Sequence, residues 1–467
     1  MGLTTELKTL VDELDRVHRG AEPWHEEIGI PDFVTADNGM QRYFTWKARE
    51  ALRQFSSILH QNRPKSSLKI ELEGYEKLAR QAVADMHAAN KFLGFDESDE
   101  GHLVSCLKSL IEERLTNIAN EHTHYFPART LGMESTSPFS LGPVTFLNRI
   151  DWINSVDFPQ KGKDNFLNQP EANHRWKEIL KDALQKPNDD SPIEGLAKTV
   201  YRAVAKCPAL VKVTVRGYEL EFSRKLAKLV AKTALDAISL GLGSSECFLQ
   251  QALQDERLPP VGSHRLVETK GFLWLPGASL TGRVPSLPSE RVKQALSDMN
   301  EILPAFAAIL EGLVDPANHL HPKLANRWAT ALDWFGEGNR ESSDAIAVAK
   351  LGTCLDVLSC GGRYVGILAM VAHLTGMNGE SLVIKGSRPR TLAQLVKDIY
   401  DQGRSKILHG THYDRLESFA AVRKQASYLA RIALIESAVR LQSFSGADED
   451  KEFRTGLAPS LRTDQIA

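Results

Sequence analysis

Between Ile399 and Asp414 the chain reads IYDQGRSKILHGTHYD, placing Arg404, Lys406, His409, His412 and two aspartates at the end of an otherwise apolar, helix-patterned segment. Arginine and histidine are the pair that phosphodiester chemistry asks for. A guanidinium stays charged, and its planar fork holds two phosphate oxygens. An imidazole titrates near neutral pH and moves protons in either direction. RNA carries its own nucleophile, the 2′-hydroxyl, so these two groups could cleave it with no metal and no cofactor. One of each per chain is thin for that task. Two copies related by a two-fold axis would supply two of each, with opposed histidines as base and acid. The plain alternative is a solvated polar connection between helices.

Spacing constrains how the two residues meet. On a regular α-helix five residues turn through about 500°, which leaves Arg404 and His409 roughly 140° apart around the axis. Convergence therefore needs distortion at the flanking Gly403 and Gly410, or a second copy. His412 follows His409 by three residues and could share its face or lie on the surface. Asp356 sits in an apolar helix, where a carboxylate needs a cationic partner or a solvated edge.

Five helices between about 322 and 444 are expected to hold these groups in a compact bundle. KLANRWATALDWFGEG puts Leu324, Trp328, Leu332 and Phe335 on one stripe and is expected to end at its glycines. SSDAIAVAKLGTCLDVLSCGG starts from Ser343 as a cap and stacks Ile346, Leu351, Leu355 and Leu358. RYVGILAMVAHLTG is apolar nearly all round, the pattern of a central buried helix. RTLAQLVKDIYDQG opens with Thr391 as a cap and carries Leu392, Leu395, Val396 and Ile399 at helical spacing. The last helix runs for roughly 30 residues through YDRLESFAAVRKQASYLARIALIESAVRL.

RSKILHG, following the helix that ends DIYDQG, resembles the R-x4-6-H motif of HEPN-domain ribonucleases, and is most similar to the ApeA-like branch. Upstream, ALDWFGEG and AVAKLGTCLDVL resemble that branch's first two helices, with Asp356 where a carboxylate commonly sits. The resemblance covers about 322–444. It implies a helical dimer with metal-independent endoribonuclease activity that leaves a 2′,3′-cyclic phosphate. It also implies an effector role in prokaryotic antiviral defence or a toxin system, with an antitoxin or a phage-derived activator as partner. By the same likeness Arg404 contacts the scissile phosphate, His409 transfers protons, and Asp356 orients or balances them. Two positions depart from the pattern. Ser405 stands where Asn, Asp or His is common, and Thr411 where some members carry tyrosine, with Tyr413 further on.

The rest of the chain gives an architecture and little chemistry. Its fold class reads as mainly α: a C-terminal HEPN-like helical bundle, a helical N-terminal region and a small α+β middle region. The expected boundaries are 1–125, 126–305 and 306–445, with a disordered tail over 446–467. At the N-terminus Leu7, Leu10, Val11 and Leu14 are helically spaced, and amphipathic runs follow near 39–62, 66–94 and 99–120, one with a Leu78, Ala82, Met86 stripe. Residues 125–152 are rich in Pro, Gly and β-formers. QKPNDDSPIEG at Gln185–Gly195 reads as a linker. Lys212 to Leu220 alternates as a strand does, with Ser223 as the cap of the following helix.

Composition excludes several classes. A net charge of −2 over 467 residues rules out a broadly basic coat, though not a local patch. The five scattered cysteines, never spaced C-x-x-C, favour free thiols in a reducing compartment and give no zinc signature. No window of about 18 apolar residues exists, so the expectation is a cytoplasmic protein without a membrane anchor. The histidine pairs His122/His124 and His319/His321 lack the accompanying ligands of a metal site. Lys225, Lys228 and Lys232 lie near one helix face and, with Lys406, are candidate RNA-phosphate contacts, although such runs are usually only solvated. A different class of reading remains open: a sensor or adaptor that dimerises through the helical bundle and binds nucleic acid or nucleotide without cutting it.

Overall fold

The computed structural model describes residues 2–20, 33–63, 69–93, 100–136, 138–186, 193–256, 262–274, 277–280, 286–386, 389–412, 414 and 416–457. The chain divides into two units, Met1–His122 with Val215–Leu226, and Thr123–Thr214 with Ala227–Ala467. Helix dominates, with a few small sheets, as the apolar periodicity predicts. Most of the expected linker Gln185–Gly195, and much of the connections at Asn62–Ser67 and Phe95–Gly101, lies outside the described residues.

The first unit is built on α1 (Leu3–Arg19), α2 (Trp46–Gln61), α3 (Leu72–Ala88) and α4 (Glu100–Ile118). Their apolar stripes meet in one core, with Leu7, Leu10, Val11 and Leu14 of α1 against residues such as Phe55, Val83 and Leu107. The Thr45 side chain caps α2 by accepting from the Ala48 N–H, and its hydroxyl donates to Glu13 at 2.7 Å. A hairpin, Phe33–Thr35 against Gln41–Tyr43, interrupts what reads as an all-helical region. It turns at Gly39 (φ 82°), in the left-handed region that favours glycine.

This unit also buries a histidine. Arg42 Nε donates to His87 Nδ1 at 2.7 Å, so that nitrogen accepts, and Nε2 carries the proton towards Asp15 Oδ1 at 3.0 Å. His87 is fully buried in this neutral form; burial first, and then the charge of Arg42, pushes its pKa down to about 4. The unfolded histidine titrates near 6.5, so below that pH the unfolded chain binds the extra proton and the fold does not. The stabilisation is complete above about pH 6.5 and drains away as pH falls towards 4. We expect acidification from pH 7 to 4.5 to cost the wild type on the order of 2–3 kcal/mol more than His87→Gln. Urea titrations of both proteins at the two pH values measure this difference, and equal slopes would mean that the histidine is not the acid-sensitive group.

The second unit carries a five-stranded sheet of β1 (Glu121–Arg129), β2 (Phe139–Leu141), β3 (Val144–Asn148), β4 (Ala209–Arg216) and β5 (Ala252–Leu253), in the order β2-β3-β4-β1-β5. β3 and β4 pair antiparallel, with Val144 opposite Val213 and Phe146 opposite Val211, and all four are buried. The expected strand through Leu220 stops at Arg216. The helix α5 (Leu220–Leu242) begins before Ser223, whose hydroxyl folds back onto the Leu220 carbonyl at 2.8 Å. Glu219 is the cap, accepting from the Phe222 N–H at 3.0 Å.

Among the helices that follow are α6 (Leu303–Val314), α7 (Pro322–Arg340), α8 (Asp344–Leu358), α9 (Arg363–Thr375), α10 (Leu392–Lys397) and α11 (Ala420–Gln442). The predicted stripe of Leu324, Trp328, Leu332 and Phe335 is buried on α7. That helix does not end at its glycines. Gly336 and Gly338 are inside it because a methyl would come 2.6 Å from Asp236 Oδ2 in one case and 2.9 Å from Leu351 Cγ in the other. The central helix is α8, not α9. Ala347, Val348, Ala349, Leu351, Gly352, Cys354, Leu355 and Leu358 bury most of α8's circumference. On α9 Val365 is 71% exposed, and on α8 Ile346 also faces out. The last helix starts only at Ala420, several residues later than its sequence pattern suggests.

The tail expected to be disordered is docked as far as Leu457. Asp448 accepts from the Lys323 and Leu324 N–H groups at 2.9 and 3.0 Å and so caps α7. Arg454 donates to the carbonyls of Ser359, Cys360 and Gly361, and Phe453 and Leu457 are fully buried. Two apolar anchors and a few charges acting on helix ends are too sparse a pattern to register as periodicity. Residues 458–467 lie outside the described set. Among the described residues no single helix is long and apolar enough to cross a membrane; α8 and α9 qualify by length and composition only as a pair, bent by 71°.

Candidate active site

The segment bearing Arg404 and His409 is shaped by its two ends. Thr391 opens α10 with a complete capping box, its hydroxyl accepting from Gln394 N–H while the Gln394 side chain accepts from Thr391 N–H. Leu392, Leu395, Val396 and Ile399 then turn into the core. From Asp398 to Ser405 the chain widens into a π-helix, with i→i+5 hydrogen bonds, a rare form that recurs at functional sites. A short α-turn, Lys406–Leu408, follows. It closes as a Schellman motif: Thr411 N–H donates to the Lys406 carbonyl at 3.0 Å, Gly410 N–H to the Ile407 carbonyl at 3.2 Å, and Gly410 takes φ 67°. The glycine directly after the histidine is therefore a helix stop.

Close approach to α8 fixes Arg404. A methyl on Gly403 would meet Val348 Cγ1 at 2.4 Å, and one on Gly352 would meet Arg404 Cβ at 2.8 Å. With both glycines in place the guanidinium reaches Asp356 Oδ2 through Nη2 at 3.2 Å and donates from Nη1 to the Tyr400 hydroxyl at 3.1 Å. It also lies over the Tyr400 ring, 5.2 Å from the centroid. Both charged side chains are largely buried, at 22% and 15% exposed. Even so, Arg404 Nε and Asp356 Oδ1 are buried without a hydrogen-bond partner among the described residues. An unspent donor and acceptor at such a pair is uncommon and costly. Tyr400, four residues before Arg404, escapes the sequence reading because it resembles one more apolar residue of the helical stripe.

The other candidates divide. His409 is exposed, and its imidazole makes no hydrogen bond among the described residues. Its backbone N–H donates to the Ser405 carbonyl at 3.0 Å, while Arg404 lies within the preceding π-helix. His412 turns the other way, edge-on to Phe419 at 5.0 Å and 3.5 Å from Glu417 Oε2. Ser405 is half-buried beside Arg404 and Lys406 is exposed, while Tyr413 falls outside the described residues.

The lysines of α5 make no free basic face. Lys225 contacts Glu71 Oε2 at 2.6 Å, and Lys228 is ion-paired with Asp255. Lys232 reaches Asp333 at 2.6 Å, Glu337 at 3.1 Å and Glu256 at 3.6 Å. Burial alone would pull the Lys232 ammonium down, but these carboxylates hold it above its ordinary value. The charge run in the sequence is answered by carboxylates distant in the chain. No group of three or more potential metal ligands exists among the described residues; His321 instead bonds the Gly446 carbonyl at 3.0 Å. All five cysteines are free thiols.

Gly403→Ala gives a direct test of this packing. Alanine gains up to about 1 kcal/mol of helix propensity, but a contact at 2.4 Å cannot persist, and overpacking at such a site costs about 1–3 kcal/mol. The expected result is a lower melting temperature, largely recovered in the Gly403→Ala/Val348→Ala double variant, which removes the opposing methyl. Failure of the second change to rescue the first would place the strain elsewhere. Compared with family models, curated proteins and solved structures, the chain finds no match.

Proposed function

We propose that the chain is a metal-independent endoribonuclease of HEPN type. It acts as a homodimer through the helical bundle and cleaves RNA by attack of the 2′-hydroxyl. The observation that carries this reading is the Arg404 cluster: a guanidinium set in a π-helix, braced by Tyr400 and Asp356, with one donor and one acceptor unspent. Five residues on, an exposed imidazole is free to move protons. One arginine and one histidine per chain are thin for this reaction, so the complete centre draws Arg404 and His409 from both subunits, with Lys406 and other exposed cations steering the substrate. The biological setting consistent with this chemistry is a prokaryotic defence or toxin effector in the cytoplasm, held in check or released by a partner protein.

RNA incubated with the purified chain in EDTA should be cut and carry 2′,3′-cyclic phosphate ends. Intact RNA under every condition tried, with the protein folded and dimeric, would remove the proposal. One observation favours a second reading. Asp356 already occupies part of the Arg404 fork, as suits a binding bundle that senses nucleic acid without cutting it. Tight RNA binding without cleavage would decide for that alternative.

A further inference from the structure

A cavity of about 400 Å³ lies within the second unit between the end of α5 and the first half of α11. The α11 wall is formed by positions 420, 423, 424, 427, 428 and 431, which recur at i, i+3, i+4, i+7, i+8 and i+11 and so make one continuous face. A helix face turned towards its own fold is ordinarily apolar; this one presents Arg423, Lys424, Ser427, Tyr428 and Arg431. Opposite stand serines that include Ser244 and Ser245, with Phe248 and Phe335 behind them. Among the described residues no carboxylate lines the cavity.

The cations differ in how far they are spent. Arg423 is, by its bonds to Asp344 at 2.9 Å and to three carbonyls. Lys424 is exposed and makes no ion pair among the described residues. Arg431 is half-buried and donates from Nε and Nη2 to the carbonyls of Leu240 and Gly241, at 3.2 and 3.5 Å. Those contacts cap the C-terminal end of α5, and capping is the ordinary reason for an arginine there. They use one edge of the fork and leave its charge without a carboxylate among the described residues. A half-buried cation so placed favours an incoming anion.

We infer that this cavity binds a nucleotide, the phosphates meeting Arg431 and Lys424 and the base resting on the Tyr428 ring. Tyr428 is 61% exposed at the mouth, four residues after Lys424 and three before Arg431. It is therefore on the same face as both cations, as base stacking requires. The volume falls in the range of small-molecule sites. The site is separate from the Arg404 cluster and does not depend on the ribonuclease reading.

The test is calorimetric titration of the full chain with ATP, inorganic triphosphate and adenosine. ATP should bind measurably, triphosphate more weakly, and adenosine at least about tenfold more weakly than ATP. Lys424→Glu alters an exposed side chain and leaves the α5 cap in place; it should weaken ATP at least about tenfold. Tyr428→Ala should weaken ATP and leave triphosphate unchanged, while His409→Ala should bind ATP as the wild type does. No heat of binding with about 1 mM ATP, or ATP affinity indifferent to Lys424→Glu with the variant's melting temperature preserved, would overturn the inference.

Discussion

His409→Ala should cut RNA at least about a hundredfold more slowly than the wild type, since a positioned general acid or base contributes roughly 10²- to 10⁴-fold. Its stability should not change measurably, because the imidazole is exposed and unbonded among the described residues. That separation makes the variant informative: lost cleavage without lost stability can only be chemistry. Arg404→Lys is the companion. Lysine keeps the charge but not the fork, so phosphate contact weakens while the Asp356 partner is still answered by a cation, whereas Arg404→Ala would leave that largely buried carboxylate alone.

Mixed dimers test the composite centre. If each subunit held its own complete site, a one-to-one mixture of wild type and His409→Ala would keep about half the activity. If each scissile phosphate needs a histidine from both subunits, only wild-type pairs cut, and randomly assorted dimers keep roughly a quarter. Unchanged cutting by His409→Ala protein would end the proposal, and the half-activity result would end its dimeric form. With a single arginine and a single histidine offered by each chain, the second experiment is necessary.

Helices were legible where apolar spacing is dense. Leu7, Leu10, Val11 and Leu14 on α1 and Leu324, Trp328, Leu332 and Phe335 on α7 are buried as their spacing requires. The Thr391 cap was equally readable, since a threonine just before an apolar helical run carries the signal by itself. What escaped depends on partners far along the chain. The glycines of α7 look like stops until Asp236 and Leu351 are seen against them, and the α5 lysines look free until their carboxylates arrive from elsewhere. The same holds at the candidate site. Arg404, His409 and Asp356 could be picked out by residue type, but Tyr400, Gly352 and the π-helix take their meaning only from the approach of α8.

The buried ion pair between Asp236 and Arg340 shows the same long-range dependence with the largest consequence for stability. Asp236 is 1% exposed and Arg340 8%, and the two are joined by a pair of hydrogen bonds from the guanidinium. Arg340 also donates to the carbonyls of Phe248 at 3.1 Å and Gln251 at 3.4 Å. Arg340→Ala therefore strands a buried carboxylate and removes a donor from two carbonyls, and breaking such a pair from one side costs about 3–5 kcal/mol. Replacing both partners by apolar residues, as in Arg340→Met/Asp236→Leu, should be far less harmful than Arg340→Ala despite altering more atoms. The pH dependence has a definite sign. Burial pushes the Asp236 carboxyl up to about 6 even beside the guanidinium, and losing Arg340 raises it further. A folded-state value above the unfolded one stabilises at low pH and is lost as pH rises through it. The deficit of Arg340→Ala, measured by urea unfolding, should thus be greatest near pH 7 and shrink towards pH 4 as Asp236 takes up its proton. A deficit independent of pH would mean that lost packing, and not the stranded charge, is what the arginine prevents.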